Sequence, residues 1–257
     1  GDARYEPRGH DDELALGPLA GATVAFVDLA PRTAHLRALA HVAKRVVVLD
    51  HHVSSRDRFA QEPGLAAELL ARGHHVHFDL ERSGAVLAWE HFHPDDPVPE
   101  LLAYIEDQDL WRWKLPRSHE VNAALASHPF DFEGWDRLAG TPIELLAEEG
   151  VPILRVQRRQ VERALATAHP IWVGPLRIEA VNAVFDRAQI GHELAERGAF
   201  GTPCGAVYRL TGRRVDVSLY SIGDFDVASV AARYGGGGHR NAAGFSVSLE
   251  SWLAEFA

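Results

Sequence analysis

Asp50, His51 and His52 are three adjacent residues whose side chains can perform metal and phosphate chemistry. They follow the run 45–49, whose β-branched and aliphatic residues are typical of a buried parallel strand. Ligands of open α/β sheets bind at the carboxyl ends of the strands, so a carboxylate and two imidazoles emerging there suit a divalent cation and a phosphoryl group. Because the chain has 15 histidines, a polar loop that merely contains two of them is the alternative.

A strand–helix–strand pattern leads into this triplet. Residues 23–28 have the pattern of a buried strand that ends at Asp28, and residues 31–43 have the apolar spacing of a helix. The strand 45–50 follows, so the two strands should be parallel and joined by a right-handed crossover. We therefore expect Asp28 and Asp50 at the same edge of one sheet.

The whole pattern predicts an α/β protein with a parallel-sheet N-terminal domain, a long connecting helix and a smaller mixed α/β C-terminal domain. We place the first domain at residues 1–140, the connector at 141–170 and the second domain at 171–257. Residues 116–140 are predicted to be loop-rich because of their prolines and glycine. The other predicted elements are helices near 63–72, 83–92, 98–106, 142–168, 187–197 and 226–233, and strands 76–79, 176–183, 204–210 and 214–221.

The composition limits the class of protein and its partners. The formal net charge is −10, which argues against a broad surface for duplex nucleic acid, although a few arginines can still bind short phosphorylated substrates. Cys204 is the only cysteine, so a disulfide within the chain and a thiolate metal site are excluded. Because apolar runs stay well below the roughly 20 residues of a membrane span and the start does not resemble a signal peptide, we expect a cytoplasmic protein.

Four residues can form a metal site at the predicted sheet edge: Asp28, Asp50, His51 and Asp107. Carboxylates together with imidazole favour Mn²⁺, iron or Zn²⁺ over Ca²⁺. Two ions roughly 3.5–4 Å apart and bridged by one carboxylate can generate hydroxide and neutralise a phosphoryl group, and Asp28 is the candidate bridge. Asp109 competes with Asp107 for the same role. A helix-capping aspartate and a solvated loop acid are the alternatives for Asp28 and Asp107.

Four consecutive glycines, Gly235 to Gly238, form the second candidate site. Glycine lets the backbone approach a ligand closely, and successive N–H groups can form a nest that binds an anion. His239 and Arg240, directly after the run, can add charge-assisted hydrogen bonds to a phosphate. A flexible hinge is the alternative, but a hinge does not need the His-Arg-Asn sequence that follows.

These two signals, in this order along the chain, resemble the DHH phosphoesterase family with its DHH-associated C-terminal domain. The resemblance covers nearly all of the chain; each short motif is weak alone, whereas the ordered set is specific. Within the family the chain is similar to the bacterial branch related to oligoribonucleases and often labelled exopolyphosphatase-like. The motifs that carry the resemblance are Val27-Asp28, residues 48–52, Ile105-Glu106-Asp107 and residues 235–245, together with Arg82-Ser83-Gly84-Ala85 and residues 109–113.

The resemblance implies two lobes around an active-site cleft, with two Mn²⁺ ions in the first lobe, for which Mg²⁺ or Co²⁺ can substitute. It implies that Asp28 bridges the ions and that His51 and Asp107 ligate one of them. Asp50 would orient the site or ligate, and His52 would contact the scissile phosphate. The residues expected to bind the substrate in the second lobe are Gly236, Gly237, Gly238, His239, Arg240 and Asn241.

The chain departs from the family pattern at two places. The family opens with a strand that ends in a His-x-Asp-x-Asp-Gly-like motif, and this sequence has no match; His10-Asp11-Asp12 follows no strand and is interpreted as a surface turn. We therefore hypothesise that the sequence lacks its true N-terminus. At the second place, relatives often carry an arginine where Tyr220 stands, so that a phosphate contact is lost or replaced by base stacking, and Arg209 or Arg240 can compensate.

Other clustered histidines and tryptophans are interpreted as structural. The histidines of segments 74–77 and 91–93 lie beside a predicted strand and between predicted helices. Trp111 and Trp113 can stack a nucleobase, but packing next to the metal loop is the interpretation we favour.

The sequence therefore predicts a Mn²⁺-dependent phosphodiesterase that hydrolyses short oligonucleotides or small nucleotides by attack of hydroxide. Its partner would be a short single-stranded oligonucleotide or a small phosphorylated substrate, and neither duplex nucleic acid nor a membrane; a homodimer is compatible with this prediction. One alternative keeps the fold and takes inorganic polyphosphate or pyrophosphate as the substrate. Another is a catalytically impaired nucleotide-binding module, which the unmatched opening motif supports.

Overall fold

The structure, a computed structural model, describes residues 3–9 and 12–256 of the chain. The chain divides into two units, residues 1–150 and 151–257, and the division falls inside one long helix. The described part of the first unit contains a parallel three-stranded sheet, and that of the second contains a mixed six-stranded sheet. The predicted α/β class, with a parallel sheet followed by a mixed one, is confirmed.

The N-terminal sheet places the ends of two strands side by side. Its strands, in spatial order, are β1 (Thr23–Val27), β2 (Arg45–Asp50) and β3 (His75–Phe78). All pairings are parallel, and β2 is buried from Val46 onwards because it is the central strand. Val27 pairs with Leu49, so the next residues, Asp28 and Asp50, lie at the same edge of the sheet, as predicted.

The helices of the N-terminal unit include a region for which the sequence prediction was wrong. They are α1 (Thr33–Val42), α2 (Val53–Ala60), α3 (Leu65–Ala71), α4 (Gly84–Phe92), α5 (Glu100–Asp109), α6 (Ser118–Leu125), α7 (Phe132–Ala139) and the first part of α8 (Ile143–Leu165). Residues 116–140, expected to be loop-rich, thus contain α6 and α7. Pro116 and Pro129 lie outside these helices, and Gly134 donates its N–H to the capping carboxylate of Asp131 (2.6 Å), so these residues delimit helices rather than prevent them.

The C-terminal unit is built around the mixed sheet, whose spatial order is β4-β5-β6-β7-β9-β8. Only the pairing of β5 with β6 is parallel among the described residues. The predicted elements agree with this unit, to which β4, β8, β9 and α11 are added. The elements after α8 are β4 (His169–Val173), β5 (Leu176–Asn182), α9 (Arg187–Arg197), β6 (Cys204–Thr211), β7 (Arg214–Ser221), α10 (Val227–Ala232), β8 (Gly237–His239), β9 (Ala242–Ser248) and α11 (Leu249–Glu255).

Candidate functional site

Asp28 leaves the end of β1 in a backbone conformation that turns its carboxylate towards the end of β2. Its φ is +60°, in the left-handed region, where aspartate is tolerated better than most residues. Its N–H still donates to the carbonyl oxygen of Leu49 (2.9 Å), which continues the pairing of the two strands. The Oδ1 atom of Asp28 lies 3.0 Å from Nε2 of His51. The predicted meeting of the two strand ends is therefore a direct side-chain contact.

His51 is the buried centre of this cluster, with 3% of its side chain exposed. Its Nε2 also lies 3.4 Å from Oδ2 of Asp109, so two carboxylates converge on one imidazole nitrogen. Burial opposes the charged imidazolium, but the contact with Asp28 and the charge of Asp109 raise the pKa of His51 above its ordinary value. One ligand atom from each of Asp28, His51 and Asp109 lies within 4.8 Å of the other two.

Asp50 is completely buried and organises the two histidines that follow it. Its Oδ1 accepts the backbone N–H of His51 (2.8 Å) and of His52 (3.3 Å), and lies 2.6 Å from Nδ1 of His52. Burial works to raise the pKa of Asp50, but the bond to His52 and its charge hold it below the ordinary value. Asp28, Asp50 and His52 form a second group whose ligand atoms lie within 4.8 Å of one another.

Asp107 is buried and points to backbone amides. Its Oδ1 accepts the N–H of Lys114 (2.9 Å), and its Oδ2 accepts the N–H of Leu115 (3.2 Å). Burial works to raise the pKa of Asp107, but these bonds and one from Ser118 lower it. Both oxygens are thus used to hold the loop after α5. Of the two acids that the sequence left as competitors, Asp109 is the one that reaches His51.

The tryptophan loop, residues 110–115, follows Asp109 directly. Trp111 and Trp113 have φ angles of +54° and +51°, and the backbone carbonyl of Asp107 accepts the N–H of Arg112 (2.8 Å) and of Trp113 (3.3 Å). The Trp113 ring stacks on His119 with centroids 3.9 Å apart, and Trp111 meets Trp113 edge to face at 5.3 Å. Both indoles are half-buried, in keeping with the packing role favoured for them.

The glycine run of the C-terminal unit forms a strand, which the sequence analysis did not predict. Gly237 to His239 make the edge strand β8, antiparallel to β9. A side chain on Gly236 would overlap the carbonyl oxygen of Gly244, and one on Gly238 would lie 2.5 Å from that of Ala242. Glycine is therefore required at both positions by the close approach of β9, whatever else this segment binds.

Arg240 and Asn241 both have partners within their own unit. Arg240 pairs with Asp224 (3.0 Å) at the surface. Asn241 donates from its amide to Oγ of Ser221 (3.0 Å) and to the carbonyl oxygen of Gly223 (3.0 Å), which fixes the turn after β7.

Arg209, the other arginine considered as a replacement at Tyr220, pairs with Asp216 (3.1 Å). A phosphate contact from either Arg209 or Arg240 would therefore require an ion pair to open.

The other histidine segments have the local contacts of structural residues. His74 is buried; its Nδ1 accepts the N–H of Val46 (3.1 Å), and its Nε2 donates to the carbonyl oxygen of Ala40 (2.9 Å). His91 lies in the last turn of α4 and stacks on His75 with centroids 4.9 Å apart. The motif at His10 and Asp11 lies outside the described residues.

The helices of the described ranges differ from membrane spans. None of them combines the length and the apolar character needed to cross a bilayer.

Two curated proteins are similar to the chain in sequence, whereas no protein-family model matches it. The Uncharacterized protein R106 of Acanthamoeba polyphaga mimivirus is 29% identical over 257 residues, covering 95% of this chain and 59% of the relative. Oligoribonuclease NrnB of Bacillus subtilis (strain 168) is 24% identical over 226 residues, covering 82% of this chain and 55% of the relative. The chain therefore spans somewhat more than half the length of the curated relatives it matches.

Among solved structures, the chain is similar in fold to the DHH domain of PF0399, a member of a family of ribosomal proteins. The TM-score is 0.53 at 15% sequence identity, and the match covers 90% of this chain and 67% of the other. In fold, this likeness confirms the resemblance to the DHH family that the sequence motifs indicated.

Proposed function

We propose that the protein is a metal-dependent phosphodiesterase that hydrolyses short oligonucleotides or small nucleotides. The observation that carries this proposal is the convergence of Asp28, His51 and Asp109, whose ligand atoms lie within 4.8 Å of one another. Two carboxylates and an imidazole form a donor set that suits Mn²⁺, iron or Zn²⁺. The name of a relative 24% identical to the chain, an oligoribonuclease, supports a nucleotide substrate.

The residues present fit a divalent cation for a second reason. The Oδ2 atom of Asp50 is buried and accepts no hydrogen bond from the described residues. A buried carboxylate oxygen without a donor is costly, and a cation beside it would remove that cost. The residues that would hold the metal are therefore Asp28, His51 and Asp109 in one group, and Asp28, Asp50 and His52 in the other, with Asp28 shared.

Mn²⁺ is the ion we propose, and Mg²⁺ or Co²⁺ would substitute. When bound, such ions lower the pKa of water and neutralise the charge of a phosphoryl group. The chain itself would contribute orientation: Asp50 holds the backbone of His51 and the ring of His52, so both imidazoles are fixed before the substrate arrives. The proposed role of His52 is a hydrogen bond to the scissile phosphate.

For the C-terminal unit we propose that the segment from Gly236 to Asn241 binds a phosphate or the terminal nucleotide. Of its residues, Arg240 carries the fixed positive charge, and its pair with Asp224 is exposed. An exposed ion pair is weak, so exchanging the Asp224 carboxylate for a substrate phosphate would cost little. Backbone N–H groups of the glycines would supply the remaining contacts.

A substrate panel tests this proposal. The full-length protein would be incubated with Mn²⁺ and dinucleotides, 3′-phosphoadenosine 5′-phosphate, cyclic dinucleotides or polyphosphate, and the products separated by chromatography. We expect mononucleotides from the nucleotide substrates and no orthophosphate from polyphosphate. Orthophosphate release without cleavage of dinucleotides would instead identify a polyphosphate hydrolase, and nucleotide binding without any turnover would identify a non-catalytic module.

A further inference from the structure

We infer that Gly84 is a positioning residue for the metal site: its missing side chain is what allows the Asp28 carboxylate to face His51. This inference rests on the proposed function, because it concerns the same site. Gly84 is the first residue of α4, and its φ is not in the left-handed region, so the backbone does not require glycine there. The reason for glycine must therefore be its surroundings.

The surroundings of Gly84 are formed by Asp28. A Cβ atom added to Gly84 would overlap Cβ of Asp28 and lie 2.7 Å from both its Cα and its Oδ1. That Oδ1 is the same oxygen that lies 3.0 Å from Nε2 of His51. Any side chain at position 84 would thus push on the atom that is proposed to bind metal.

Asp28 has few other restraints on its side chain. About half of it (52%) is exposed, and its backbone lies in a turn after the last paired residue of β1. The contact with Gly84 closes one side of the carboxylate, while His51 lies on another. A carboxylate held on two sides binds a cation with less loss of conformational freedom than one that rotates in solvent.

The start of α4 is itself fixed, so the strain of a new side chain would fall on Asp28. The Ser83 hydroxyl caps the helix by accepting the N–H of Val86 (3.2 Å), and the Ser83 N–H donates to Oε2 of Glu106 (2.9 Å). Glu106 is buried in α5 and also accepts from Arg112 (3.1 Å). The helix that carries Gly84 is therefore tied to the helix that ends in Asp109.

Binding of Mn²⁺ without substrate tests the inference. The full-length protein, Gly84→Ala, Asp28→Asn and the control Gly17→Ala would be titrated with Mn²⁺, and bound ion followed by electron paramagnetic resonance. Gly17 also begins a short helix, but a Cβ there would meet nothing within 4 Å. We expect Gly84→Ala to weaken Mn²⁺ binding about 10- to 100-fold, as is typical when the support of a ligand is disturbed, and Gly17→Ala to leave it unchanged.

The outcomes separate this inference from the proposed function. Loss of Mn²⁺ binding in Asp28→Asn, with wild-type binding in a folded Gly84→Ala, would overturn the role of Gly84 and leave the metal site standing. Wild-type binding in both variants would overturn the metal site as well. In the Asp28→Asn background, adding Gly84→Ala should produce no further loss of affinity, because the affected ligand is already removed.

A second measurement covers the case in which Gly84→Ala unfolds. Asp28→Gly removes the Cβ and carboxylate that the new methyl would meet and suits the positive φ of that position. We expect Gly84→Ala to lower the temperature of unfolding less in the Asp28→Gly background than in the wild type. An equal decrease in both backgrounds would show that Asp28 is not what Gly84 accommodates.

Discussion

Asp107 and Asp109 lie two positions apart at the end of α5, yet the carboxylate of Asp107 binds the backbone amides of Lys114 and Leu115 whereas that of Asp109 lies 3.4 Å from His51. At about 100° per residue, two steps along a helix turn a side chain to nearly the opposite face. One acid therefore supports the tryptophan loop, and the other joins the candidate metal site.

Substituting these two acids should separate stability from metal binding. Asp107→Asn replaces one acceptor oxygen by an amide group, so a buried N–H loses its partner, and the free energy of unfolding should fall by about 1–3 kcal/mol. Asp109→Asn should change it little but should weaken Mn²⁺ binding. Urea unfolding and Mn²⁺ titration of both variants would check this. The reverse pattern, with Mn²⁺ affinity lost only in Asp107→Asn, would restore Asp107 as the ligand.

His51→Ala should remove the imidazole at the centre of the site. We expect hydrolysis of a dinucleotide in the presence of Mn²⁺ to fall by at least about 100-fold, more than the usual effect of disturbing a ligand's support. His128→Ala is the matched control, because His128 is a surface histidine that pairs with Glu149. Turnover by His51→Ala equal to that of the control would exclude the proposed site.

Asp216 makes acid stability depend on the C-terminal unit. Its hydrogen bond from Ser246, together with those from Arg209 and Thr211, lowers its pKa. Because the folded-state pKa lies below the unfolded value of about 3.9, this contribution is present above that pH and is lost as the pH falls through the folded value. Asp216→Asn should therefore be less stable at neutral pH and should lose less stability on acidification. Unfolding curves from pH 7 to pH 2 that run parallel for the two proteins would contradict this.

Cys204 should be unreactive in the folded protein. Burial raises the pKa of its thiol to about 12, and the thiolate is the reactive form. Ellman's reagent at pH 8 should therefore modify the native protein slowly and the urea-unfolded protein rapidly. Equal rates would show that the centre of the C-terminal sheet opens readily.

The order of strands and helices around β1 and β2 was predictable because buried strands and amphipathic helices leave different apolar periods in a sequence. The choice between Asp107 and Asp109 was not, since it depends on where α5 ends. The sequence analysis ended that helix at residue 106 and left both acids in a loop, where they are equivalent. The structure continues the helix to Asp109, and helical geometry then separates them.

The glycine run shows a different limit. A strand is recognised by its side chains, and residues 235–238 have none, so β8 leaves no period in the sequence. What makes β8 a strand is its pairing with β9, which only the folded chain displays. The role of Gly84 was hidden for a similar reason, because its neighbour Asp28 comes from a distant strand.

The left-handed backbone of Asp28 limits what can stand at that position when activity is not required. Alanine there would bear a backbone penalty of about 1 kcal/mol or more in addition to losing the carboxylate, whereas asparagine and glycine would not. A lineage that had given up hydrolysis would therefore be expected to drift first to asparagine or glycine at position 28. Asparagine or glycine in a homologue would then mark a protein that has kept the turn after β1 and abandoned its chemistry.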